Sequence, residues 1–265
     1  MYLFLVDETN AGFVPNKFFI LGGLVFTEEQ VPLVDAAVKA RREEYGYRNG
    51  DSFKFNTHTR PEQVSIENFR LAKQAVISDL REIGVRMIVT VVLHDVAGQE
   101  PDRLMEWGLE NVAYPYHKLL GEESAQGFML MDRDNQRYDF LESFHQHGFD
   151  YSGSRKSVQD RILLFGMTND NASHLASATD IALGAFRYCV NAAGGEGRDE
   201  IAASMFRDLS HLMWGVEKEN GVRQIGGYGY HPSPKPSTVY HPPYRARYER
   251  LATALKEYAL DDLDE

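Results

Sequence analysis

Cysteine is almost absent: the 265 residues include one, Cys189. A single thiol excludes an intrachain disulfide and points to a reducing compartment. Cys189 falls among helix-spaced apolar residues, Phe186 and Val190, so it reads as a packing residue rather than an activated nucleophile. Long hydrophobic runs are missing too. No stretch approaches the ~20 apolar residues that a membrane span requires. The apolar start stops at Asp7 and Glu8 and has no basic residue before it, unlike a signal peptide, so a cytoplasmic location is expected. The chain has no G-x-x-x-x-G-K-S/T phosphate loop and no dinucleotide fingerprint, and nucleotide cofactors are set aside on that ground. Internal repeats and heptads are likewise missing.

Positive charge is in short supply. Lys and Arg number 28 against 39 Asp and Glu, a formal net charge of −11. Such a chain is poorly suited to holding nucleic acid by bulk electrostatics. The same excess is compatible with a carboxylate-rich metal site, where bound cations cancel the charge.

What is present is an ordinary globular composition. The chain is 43% hydrophobic and 25% charged, enough apolar surface to build a full core and exclude a disordered polymer. Apolar, β-branched runs predict strands at 2–6, 18–26, 85–93, 128–131 and 161–165, with a short one at 52–55. Gly22-Gly23 inside the second run predicts a bulge or a close backbone approach. Amphipathic spacing and caps predict helices at 28–45 behind Thr27, 61–83 from Pro61 to Gly84, 102–120, 135–147, 173–193 behind Ser173, 198–216 and 244–260. Residues 226–244, rich in Gly, Pro, Tyr and His, read as a surface loop. An opening hairpin followed by alternating strands and helices implies an α/β fold, with a mixed central sheet flanked by helices. The division expected is a domain over 1–225, with the 226–265 loop and C-terminal helix packed on that same domain.

Sites in open α/β sheets form beyond the carboxyl ends of strands. Polar residues gather there, and acidic ones recur: Asp7 and Glu8 after the first run, His94 and Asp95 after the third, Asp132 and Asp134 after the fourth, and Thr168, Asn169 and Asp170 after the fifth. One such residue is usually a turn former. Pairs that directly follow central parallel strands converge, and converging carboxylates repel unless a cation lies between them or one is protonated. Oxygen ligands of this kind select Mg²⁺ or Mn²⁺. Asp180 is a third candidate. Its helical neighbours Ala176, Ser177 and Gly184 are small, which would let the helix approach the sheet closely. His145 and His147 are two apart and fall on different helix faces, a poor metal pair.

The stretches LFLVDET, FFILGGLVF, FMLMDRD and SATDIALGAFR, in that order over residues 1–190, resemble a broad bacterial family catalogued as domain of unknown function 3800. Thr9 stands where that family usually has Ser, and Thr179 where it usually has Ala. The resemblance implies a divergent ribonuclease-H-like fold, in which carboxylates on the first strand, a later central strand and a C-terminal helix hold two divalent metals. Carried over, it implies Asp7, Asp132 and Asp180 as catalytic metal ligands, with Glu8 as a fourth and Asp134 as a weaker candidate. The activity implied is a Mg²⁺- or Mn²⁺-dependent nuclease or phosphodiesterase, with Lys54 and His58 as candidate contacts to a substrate phosphate.

Two rival readings remain. MLMDRDNQ superficially resembles the strand–Asp-x-Asp start of haloacid-dehalogenase-type phosphohydrolases, although Asn135 and Gln136 stand near where a Thr or Val is usual. Alternatively the acidic site is degenerate and the chain is a partner-binding module of a bacterial defence or mobile-element system.

Overall fold

A computed structural model describes residues 1–98, 101–132, 138–151, 154–168, 173–259 and 261–263. Two long apolar runs open the fold as a hairpin: β1 (Tyr2–Thr9) pairs antiparallel with β2 (Phe18–Thr27) along its whole length. Both strands exceed their predicted bounds. Pairing continues to Thr9 opposite Ile20, so Asp7 and Glu8 lie inside β1 rather than beyond it. The glycine pair is a close approach. A Cβ on Gly22 would collide with the Ile88 carbonyl oxygen, and one on Gly23 with that of Leu5.

Helices α1 (Gln30–Glu44) and α2 (Ile66–Ile83) follow. Both begin later than predicted. The Thr27 hydroxyl does accept from the Gln30 amide, and Ser65, not Pro61, caps α2 by accepting from the Asn68 amide at 3.0 Å. Residues 52–55 form no strand; they are an irregular extended segment held by contacts to helices. Next come β3 (Arg86–Leu93), the short α3 (His94–Ala97), α4 (Pro101–Glu122), β4 (Gly127–Asp132) and α5 (Tyr138–His147). A small hairpin, β5 (Phe149–Tyr151) with β6 (Ser154–Lys156), precedes β7 (Ile162–Thr168), α6 (His174–Ala193) and α7 (Asp199–Ser210).

The predicted 198–216 helix ends early because the chain turns back to the sheet, where Trp214 N donates to the Met87 carbonyl. After the two-residue strands β8 (Val216–Glu217) and β9 (Arg223–Gln224), the predicted loop supplies a strand of its own, β10 (Tyr230–Ser233), and α8 (Pro242–Tyr258) begins inside it. Pro232 is tolerated because β10 is an edge strand, where a missing N–H costs no ladder bond on its free side.

The main sheet has six strands in the order β10-β3-β2-β1-β4-β7. Every pair is parallel except those involving β2, so five strands point the same way. The α/β class and the mixed sheet are as expected. One face carries α1, α2, α6, α7 and α8 over Leu5, Ile20, Leu24 and Val89. The other carries α4 and α5 over Phe4, Val6, Leu21 and Met129. Residues 226–259 join the first of these cores through Tyr230, Tyr248, Leu251 and Leu255. The edge strand β7 is thinly covered, with Leu163 39% and Leu164 48% exposed. Among the described residues no helix is long and apolar enough to cross a membrane.

Candidate functional site

The pleat sorts the acidic residues of β1. Phe4 and Val6 face α4, whereas Leu5 faces α6. Alternation therefore turns Asp7 and Thr9 toward α6 and Glu8 toward the opposite face. The Thr9 hydroxyl confirms this direction by accepting from Arg187 Nη1 of α6 at 2.9 Å. On β4, Leu130 packs on the α6 side, which carries Asp132 to that side as well. Val6 pairs with Met131 in parallel, so Asp7 and Asp132 are the next residues on neighbouring strands, roughly 4.8 Å apart in backbone spacing. Both are half-buried.

Helix α6 packs on this side over β1 and β2. It meets the sheet at Thr179, whose Cγ2 would lie 3.1 Å from a Cβ on Gly23. Eight residues later it reaches Thr9 through Arg187. Asp180, half-buried, directly follows the first of these contacts. The small residues act differently from the expectation. Gly184 makes room for the Phe55 side chain rather than for the sheet, and the close helix–sheet contact is made by Thr179 over Gly23.

The segment 52–56 anchors Asp180. Phe55 N donates to Asp180 Oδ2 at 2.6 Å, and Lys73 Nζ donates to the Phe55 carbonyl at 3.0 Å. The Lys73 ammonium lies 4.2 Å from the Phe55 ring centroid and 4.0 Å from that of Phe69. Its pKa is pushed down to about 8, chiefly by burial and secondarily by Arg70, with Asp180 opposing. Lys54 is adjacent to this anchor, whereas His58 is exposed on the 3-10 turn Thr57–Thr59. Asp134, Asn135, Gln136, Asn169 and Asp170 lie outside the described residues.

Sequence reasoning missed Lys73 and the Phe55 amide. Lys73 carried a signal: it stands in the apolar stripe of α2, four residues after Phe69 and four before Ile77. A backbone donor carries none. Cys189 is buried in the core, and burial pushes its thiol well above the ordinary range, in keeping with packing. His147 Nδ1 is engaged with the Ser143 carbonyl of its own helix at 2.9 Å.

Asp7, Asp132 and Asp180 thus occupy one side of the sheet, and Glu8 the other. Among the described residues, no three His, Cys, Asp or Glu side chains stand close enough to share a metal ion. The donor set as arranged does not form a ligand shell. No family model matches the chain, and no curated protein matches it.

Proposed function

We propose that the α6 side of the β1–β4 pair is the site of a divalent-cation-dependent phosphodiester hydrolase, a nuclease of ribonuclease-H-like fold acting on DNA or RNA with Mg²⁺ or Mn²⁺. The observation that carries this reading is that Asp7 and Asp132 stand on adjacent parallel strands, on the side of the sheet that carries α6 and its Asp180. Two carboxylates side by side repel, and a cation between them is the usual relief. Asp180 is held by a backbone N–H, and Lys54 beside that donor is suited to a substrate phosphate. Glu8, on the opposite face, has no part in this grouping.

The second reading, an acidic partner-binding surface without catalysis, is favoured by that same open arrangement. A thermal melt separates the two. Mn²⁺ at a hundredfold excess over its dissociation constant stabilises a folded chain by about 2.7 kcal/mol. The hydrolase reading expects that rise in the native chain, its loss in Asp7→Asn and Asp132→Asn, and Mn²⁺-dependent cleavage of DNA or RNA that Asp180→Asn abolishes. No effect of Mn²⁺ on the native chain, with both variants melting higher, would show a repulsive acidic surface and overturn it.

A further inference from the structure

The other face of the sheet, near the β10 edge, carries a cleft of about 440 Å³ between α4 and residues 224–235. That volume is in the range of small-molecule sites. Its mixed lining includes four aromatic side chains, Trp107 and Tyr114 from α4 together with Phe149 and Tyr228. The rings are braced by neighbours: Tyr228 packs edge-on to Trp214 at 5.1 Å and Tyr114 edge-on to Phe149 at 5.6 Å. Two ammonium groups, Lys118 and Lys235, border the same cleft. Lys118 Nζ lies 3.6 Å from the Tyr228 ring centroid, with a loose 4.0 Å pair to Glu122. Flat aromatic side chains take a flat ring by stacking. Lysines at the rim of such a site take a phosphate as point charges. Glu110 also borders the cleft and is an acceptor suited to the exocyclic amine of a base.

We propose that this cleft binds a nucleoside monophosphate, its base against Trp107, Tyr114 and Tyr228 and its phosphate on Lys118 and Lys235. In a chain of net charge −11, the pairing of two lysines with four aromatic rings in one concavity is what singles the cleft out. The segment read from sequence as a connecting loop supplies one wall of it. The site lies across the sheet from Asp7 and Asp180 and is independent of their chemistry.

The chain has two tryptophans, one lining the cleft and the other beneath Tyr228, so intrinsic fluorescence reports on this site. The full chain is titrated with the 5′-monophosphates of adenosine, guanosine, cytidine and uridine, and with adenosine and ribose 5-phosphate as halves of the ligand. Calorimetry repeats each titration. The expected result is saturable quenching by at least one monophosphate, at least tenfold weaker binding of either half, and at least a tenfold loss in Lys118→Met and in Tyr228→Leu. Lys156→Met, on the exposed β6, is expected to bind normally. Lys118→Met keeps the apolar stem and so tests the charge without emptying the wall. The proposal is overturned if no monophosphate binds up to millimolar concentration, if ribose 5-phosphate binds as well as the nucleotide, or if a folded Lys118→Met binds unchanged.

Discussion

Lys73 should give the protein a distinctive response to alkaline pH. The side chain is 8% exposed and sits between two phenylalanine rings, with its proton released near pH 8 instead of the ordinary 10.5. The unfolded chain keeps that proton up to its ordinary value. Between the two values the folded state therefore binds fewer protons than the unfolded one, and stability rises with pH. At about 1.4 kcal/mol for each pH unit of early release, the full effect is about 3 kcal/mol, of which about 2 kcal/mol falls between pH 7 and pH 9.5. Opposing contacts favour the charged form: two cation–π contacts at about 0.5–2 kcal/mol each and a charged hydrogen bond to Phe55 O at about 1.5–3 kcal/mol. Urea unfolding of the native chain and Lys73→Met at pH 7 and pH 9.5 isolates the effect, because the other titrating groups cancel in the difference. The native chain should gain about 2 kcal/mol over Lys73→Met across that interval. A difference that stays flat to within about 0.5 kcal/mol would refute the reasoning and show that the rings, not burial, set the proton's hold.

Two further substitutions probe what positions the site. Gly23→Ala places a Cβ against the Leu5 carbonyl and the Thr179 methyl, so it should cost about 1–3 kcal/mol in urea unfolding; an unchanged midpoint would contradict the close approach of α6 to the hairpin. Tyr248 joins β3 to β10, accepting from Leu93 N at 2.9 Å and donating to Ser233 O at 2.6 Å. Tyr248→Phe strands both buried backbone groups, with an expected loss of about 1–3 kcal/mol and faster hydrogen exchange at the β10 amides; unchanged exchange there would dissociate Tyr248 from holding the strand.

Much of the architecture was legible in the chain. The run 85–93 is almost continuously apolar because β3 is covered on both faces, and it appears within a residue of its predicted bounds. Ser173 caps α6 as expected, accepting from the Ala176 amide at 3.2 Å. The misreadings share a cause. Residues 52–55 look like a strand but have no strand beside them, and Tyr230–Ser233 looks like loop but lies beside β3. Whether an extended segment becomes a strand depends on a hydrogen-bonding neighbour, which local composition does not encode.

The candidate site divides in the same way. The sequence by itself determined the α/β class, the acidic strand ends, the packing role of Cys189 and the helix bearing Asp180, because hydrophobic period, capping residues and side-chain chemistry are local properties. Tertiary structure alone decided that Asp7 and Asp132 share a face while Glu8 does not, since one residue of register reverses every side chain in a strand. It alone brought the Phe55 amide to Asp180 across 125 residues of chain, and Lys73 to the Phe55 carbonyl. Contacts of that separation are set by how helices pack on a sheet, and no window of sequence contains them.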